Sequence, residues 1–246
     1  MFEPRVALAS LSGEADADWA QAGSEYAGMA FLGGIALDER SREAARLLVE
    51  RERSEFLPDD PFSFVDDQLR ALSDVDVRAG FNVRSATVDP VREAAEVCAR
   101  QDAVVEVNAH CRQDELCDVG CGETLLRDTD RLCSYVEAAA DTGATVGVKV
   151  RAEVDGVDLV ETARRVERAG AAVLHVDAMD SEPVVGDVVD ATDCFVVANN
   201  GVRDRETVRE YLALGADAVS VGRPSDDPRV LRRVEAATTE WFTPRA

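Results

Sequence analysis

Three pairs of polar residues close three successive apolar runs: Glu106 with Asn108, Lys149 with Arg151, and His175 with Asp177. A spacing of two puts both members of a pair on one face of a β-strand, leaving Val107, Val148, Val150, Leu174 and Val176 on the other. Such a set on three successive strands points to an inward-facing site that could hold a ligand. Lys149 is the only lysine in the chain; apart from two histidines, every other basic residue is arginine. It lies in Thr145–Arg151, where an unpaired cation would be costly to desolvate. Either its head reaches solvent at the strand terminus, or it holds a ligand. Recurrence of the pattern on three strands favours a ligand.

Cys111 follows the second residue of the first pair directly, in Asn108-Ala109-His110-Cys111-Arg112. A thiol there could act as nucleophile or proton donor. His110, Cys117 and Cys121 lie nearby, but their spacings lack the paired arrangement of common zinc sites, so no metal is expected. Cys98, Cys133 and Cys194 fall in helical or strand patterns and read as packing residues.

The elements that must position these groups alternate along the chain. Strands are predicted at Arg5–Ser10, Met29–Leu37, Gly80–Ser85, Ala103–Ala109, Thr145–Arg151, Ala172–Ala178, Cys194–Asn199 and Ala218–Val221. Helices between them include one around Pro61–Leu72, then Asp158–Ala169 before Gly170 and Asp204–Leu214 before Gly215, each glycine suited to a helix end. Glu55–Pro61 reads as a turn. Eight strands with intervening helices predict an α/β fold, a (β/α)8 TIM barrel in one domain spanning residues 1–246. An open doubly wound sheet would rarely need eight such units.

Barrel enzymes work at the carboxyl ends of their strands, and there the last two often build a phosphate site. In this chain those strands end in Asn199-Asn200-Gly201 and Gly222-Arg223-Pro224. Gly201 and Gly222 would let backbone N–H groups approach phosphate oxygens, and Arg223 could clamp them. Two ordinary glycine turns are the plainer alternative.

The formal charge of -22, with acids spread through periodic segments and arginine in place of lysine, suggests adaptation to high salt. Such acidity ordinarily argues against a nucleic-acid partner. At molar salt the Debye length is only about 3 Å, so charge does not exclude RNA. The first residues lack the pattern of a signal peptide, no apolar run is long enough to span a bilayer, and six cysteines without a secretion signal read as thiols. A cytoplasmic protein that does not enter membranes is expected.

These segments together resemble the flavin-dependent dihydrouridine synthase family, in a short archaeal branch, over nearly the whole barrel. The most specific stretch is residues 108–126, where the family carries Asn-x-Gly-Cys-Pro, a glycine-containing turn and a Leu-Leu helix start. Asn108 and Cys111 match, while His110 and Arg112 replace the glycine and the proline. Lys149 and Arg151 match a Lys-x-Arg strand end, and Asn200–Gly201 and Gly222–Arg223 fit the two phosphate-loop motifs. Residues 8–13 resemble the first-strand segment lying against the flavin, with Ser10 and Leu11 in place of proline and methionine. A flavin-contacting glutamine falls at Arg84, and a strand-six histidine at Asp177, with His175 one inward position earlier. The helical carboxyl-terminal domain with which the family grips tRNA has no counterpart after the closing helix Pro228–Phe242.

The resemblance implies bound FMN, reduced by NADPH or NADH, and an oxidoreductase that reduces a pyrimidine ring, uridine in tRNA first. It implies Cys111 as proton donor at C5, Lys149 beside the flavin N1–C2=O edge, Asn108 orienting substrate or flavin, and Arg151 on the substrate side. Ser10, Leu11, Arg84, His175 and Asp177 would line the flavin, and Asn200, Gly201, Gly222 and Arg223 its phosphate. A free pyrimidine, in the manner of dihydroorotate dehydrogenase, is the second expectation. A flavin-free, phosphate-binding lyase or isomerase using Lys149 as Schiff-base nucleophile is the third, and a flavin-binding regulatory barrel without catalysis a fourth.

Overall fold

The computed structural model describes residues 1–243. Eight parallel strands close a barrel in sequential order: β1 Val6–Leu8, β2 Met29–Ala36, β3 Arg78–Arg84, β4 Val104–Asn108, β5 Thr145–Arg151, β6 Val173–Asp177, β7 Phe195–Asn199 and β8 Ala218–Val221. The helices between and beyond them are α1 Ala17–Gly23, α2 Glu39–Glu50, α3 Pro61–Ala71, α4 Asp89–Arg100, α5 Asp114–Asp118, α6 Glu123–Arg127, α7 Thr129–Ala140, α8 Leu159–Arg168, α9 Pro183–Val189, α10 Arg205–Ala213 and α11 Pro228–Phe242. The (β/α)8 expectation holds. β5 and β8 have the bounds anticipated; most of the others are shorter by a residue or two, where ladder hydrogen bonding stops before the pattern does, while β3 begins two residues earlier, at Arg78, paired with Met29.

Local chemistry sets the helix boundaries. Asp158 accepts from the Glu161 N–H and begins α8, and Asp204 forms a capping box with Thr207 to begin α10. Gly170 and Gly215, both at positive φ, end the same helices as their sequence positions suggested. No helix among the described residues is long and apolar enough to cross a membrane.

Strand alternation separates two cores. Outward residues such as Val105, Val107, Val146, Val148, Leu174 and Val176 pack under the helices. Inward residues at the amino-terminal end, namely Phe2, Ala7, Met29, Phe31, Val104, Val173, Val197 and Ala218, plug the interior. Each valine, methionine and phenylalanine among them contributes roughly 1.5–3 kcal/mol of burial. Above this plug the inward side chains turn polar. Gly34 makes room for two of them: a Cβ there would sit 2.5 Å from Asn82 Oδ1 and 2.9 Å from Arg84 Nε.

Candidate active site

The strand ladder aligns the polar pairs. Asn108 sits opposite Lys149, Lys149 opposite His175, and Arg151 opposite Asp177, which is in turn opposite Asn199. All three pairs therefore point into the barrel, toward the carboxyl ends of its strands.

Beneath the mouth runs a buried hydrogen-bond chain. Asn199 Nδ2 donates to Ser220 Oγ at 2.6 Å, and Ser220 Oγ lies 2.8 Å from His175 Nε2. His175 Nδ1 lies 2.7 Å from Glu106 Oε1. Asn82 Nδ2 donates to Glu106 Oε2 at 2.6 Å, and Asn108 Nδ2 donates to Asn82 Oδ1 at 2.8 Å. Asn108 Oδ1 then accepts from the His110 and Cys111 N–H groups at 3.1 and 3.0 Å, fixing the turn that carries the thiol.

Charge settles the protons in this chain. Burial lowers the pKa of His175, and the Lys149 charge lowers it further against the pull of Glu106, so the ring is neutral. Burial works against an ionised Glu106, but His175, Lys149 and Asn82 outweigh it and hold the carboxyl below its usual range. An ionised Glu106 only accepts, so His175 Nδ1 carries the proton and Nε2 accepts from Ser220.

Lys149 is 4% exposed. Burial lowers its pKa; Glu106, Asp177 and the Cys111 thiol act in the opposite direction. No carboxylate among the described residues comes within ion-pair distance of it. Arg151 donates from Nη1 to Glu123 Oε1 at 2.7 Å, while its buried Nε has no partner. His110 Nε2 lies 2.6 Å from Asp177 Oδ2, across the end of β5.

Cys111 is partly buried, packed against a small cluster of Ala44, Leu48, Ala86, Leu116 and Cys121. Gly122, at φ +57, holds this turn tight, because a Cβ there would collide with the Cys111 carbonyl. Cys117 Sγ donates to that carbonyl at 3.5 Å. Among the described residues no group of three His, Cys, Asp or Glu side chains has the geometry of a metal site.

The two closing loops remain open. A Cβ on Gly222 would meet nothing within 4 Å, and one on Gly201 only the end of Arg203, at 3.8 Å. No hydrogen bond among the described residues uses the backbone N–H of either glycine. Arg223 is exposed beside them, and Asn200 is held at φ 103 by its bond to the Met179 carbonyl. Ser10 and Leu11 are half-buried after β1.

Two expected flavin-lining residues are placed otherwise. Arg84 donates to Ser12 and the Gly34 carbonyl at 2.6 and 2.7 Å and pairs with Glu55 at 2.9 Å, with both charged side chains almost wholly buried. It ties the loops after β1 and α2 to the barrel. His175 is fully buried, stacked on Phe31 with both ring nitrogens engaged. Both support the mouth from below, and neither opens to it. Asn82 and Ser220 were missed, although each lies in the inward phase of its strand. Glu55 and Glu123 were missed because they reach the site from helices and loops with no strand period.

Known proteins resemble this chain in sequence and in fold. Residues 79–246 match the family model for dihydrouridine synthase. An uncharacterized protein of Methanocaldococcus jannaschii is 25% identical, over 90% of this chain and 89% of its own length. The catalytic subunit of dihydroorotate dehydrogenase B (NAD(+)) from Halalkalibacterium halodurans is 28% identical, over 68% of this chain and 63% of its own. Among solved structures, morphinone reductase in complex with tetrahydroNAD superposes with a TM-score of 0.66 at 14% identity, covering 93% of this chain and 86% of its own. The 3-hexulose-6-phosphate synthase of Salmonella typhimurium does so at 0.58 and 16%, covering 96% and 99%. At such identities these structures establish the barrel alone.

Proposed function

The chain belongs to the dihydrouridine synthase family, a family of flavin-dependent oxidoreductases, and on that premise we propose that it binds FMN and reduces the C5–C6 bond of a uracil ring, uridine in tRNA. The observation that carries this reading is Lys149: a buried ammonium without an ion-pair partner among the described residues, within electrostatic reach of Cys111 at the same mouth.

The donor set fits the cofactor. Lys149 supplies a compact positive charge for the N1–C2=O edge of an isoalloxazine, where arginine's fork would be bulkier. The free N–H groups of Gly201 and Gly222, with Asn200 and Arg223 beside them, suit a terminal phosphate. Ser10, Leu11 and Asp177 would line the ring system between them.

When bound, the flavin supplies a hydride to C6 of the ring. Cys111 donates its Sγ proton to C5, a carbon that water protonates poorly. Asn108 holds the Cys111 backbone and thereby aims the thiol. Arg151, fixed by Glu123, contributes positive charge on the substrate side. NADPH or NADH would return the electrons.

A free pyrimidine is the second reading, favoured by the likeness to the dihydroorotate dehydrogenase subunit. The test compares dihydrouridine in tRNA from a strain deleted for this gene with wild type, together with the visible spectrum of the protein purified in high salt. Yellow protein and lost dihydrouridine are expected. A flavin spectrum with unchanged dihydrouridine, and no paralogue to compensate, would defeat the tRNA assignment. A colourless protein that takes up no FMN would defeat the flavin assignment as well.

A further inference from the structure

His110 stands immediately before the proposed proton donor, and nothing in the proposed chemistry uses it. Its backbone N–H is held by Asn108, and its ring reaches from the end of β4 to that of β6, where Nε2 meets Asp177 Oδ2 at 2.6 Å. The side chain is 29% exposed against 13% for Asp177, so the ring borders open space while the carboxylate sits behind it. Asp177 is itself fixed, accepting from the Met179 N–H at 3.2 Å.

This geometry selects one tautomer. Desolvation of the partly covered ring lowers the pKa of His110 against the pull of Asp177, and the Lys149 and Arg151 charges push it further down, so at pH 7 and above the ring is neutral. Burial opposes an ionised Asp177, but the His110 hydrogen bond, the Met179 N–H and Lys149 keep its pKa below the usual range. A neutral imidazole facing a carboxylate donates to it, so Nε2 carries the proton. Nδ1 is left as a bare acceptor, and no hydrogen bond among the described residues occupies it. His175 is the other imidazole within electrostatic reach, and it too is neutral.

Uracil and cytosine differ at this kind of contact. N3 of uracil carries a hydrogen and donates, whereas N3 of cytosine presents a lone pair. An acceptor fixed in place pairs with the first and is left unpaired and desolvated against the second. A site built to receive one hydrogen bond discriminates far more strongly than a pocket that reads shape.

We propose that His110 is a specificity-determining residue that accepts the N3–H of a uracil ring at Nδ1, with Asp177 as the positioning residue that fixes its tautomer. The proposal rests on the pyrimidine reading above and deepens it.

The test uses the full FMN-loaded chain, reduced anaerobically and mixed with tRNA from the deletion strain while flavin reoxidation is followed. His110→Ala should lower kcat/KM roughly tenfold to a hundredfold, mainly through KM. His110→Asn, whose side-chain oxygen can stand near the Nδ1 position, should recover most of that loss. Flavin content and donor-driven flavin reduction should match wild type in both. Because the chain has only two histidines, imidazole 15N spectra give a second readout, with the His110 signals identified by their loss in His110→Ala. They should show Nε2 protonated, Nδ1 bare and shifted by tRNA, and Asp177→Asn should redistribute the tautomers. A wild-type enzyme that turns over tRNA while His110→Ala stays within twofold of it overturns the inference alone, as does an Nδ1-protonated ring. A wild-type enzyme that never reoxidises with tRNA overturns the substrate reading and the inference together.

Discussion

Asn82→Leu removes the middle of the buried chain while keeping a side chain of similar size. Asn82 is fully buried, donating to Glu106 at 2.6 Å and accepting from Asn108 at 2.8 Å. Leucine can do neither. An ionised carboxylate loses one hydrogen bond, about 1.5–3 kcal/mol, and the Asn108 amide N–H is stranded, about 1–3 kcal/mol. Together these give a loss of roughly 4 kcal/mol. In a chain of this size that lowers Tm by about 8–16 °C. Differential scanning calorimetry in high salt, at a pH above 7 where both imidazoles are neutral, measures it directly. A second effect should follow at the mouth. Asn108 no longer has a fixed amide orientation, so its oxygen holds the His110 and Cys111 N–H groups less well. Substrate-driven flavin reoxidation should therefore fall while donor-driven flavin reduction does not. A variant melting within about 2 °C of wild type would refute the claim that this chain is a closed, fully satisfied network.

Glu55→Ala should cost about 3–5 kcal/mol, read by urea unfolding, because it leaves the Arg84 guanidinium buried without its counter-charge. Gly222→Ala should weaken FMN binding measured by fluorescence quenching, since a Cβ there enters the open space of the loop. Acidification should destabilise the fold from about pH 6.5 downward. Both histidines have folded pKa values below their ordinary one, so the unfolded chain takes up protons that the folded chain refuses. The stability is complete above that pH and is lost as pH falls, by up to about 1.4 kcal/mol per pH unit for each ring. Replacing His175 with glutamine should halve the slope of a chemical-denaturation pH series.

Much of this was legible because a strand's period is short and strict. Alternation alone put Glu106, Asn108, Lys149, Arg151, His175 and Asp177 on the inward face, and the ladder then aligned them. The same rule applied to Gly80-Phe81-Asn82 and Ala218-Val219-Ser220 would have found Asn82 and Ser220. Depth within the barrel was not legible. His175 and Asp177 look equivalent in sequence, but two residues of strand rise separate a fully sealed imidazole from a carboxylate 9% exposed. Arg84 was assigned to the mouth for the same reason, since its partner Glu55 lies in a connection whose path no local pattern specifies. The short helix α5 was equally hidden, because it is not long enough to show a helical period.

Asn108 answers to two constituencies. Its nitrogen terminates a relay that begins beneath the β7 and β8 loops, and its oxygen grips the backbone that presents the thiol. The far ends of the mouth therefore share one mechanical reference, and a disturbance at Ser220 must propagate to Cys111 through four intervening side chains. The β7 and β8 loops and the Cys111 turn are thus linked by a buried spine of three amides, a hydroxyl, an imidazole and a carboxylate.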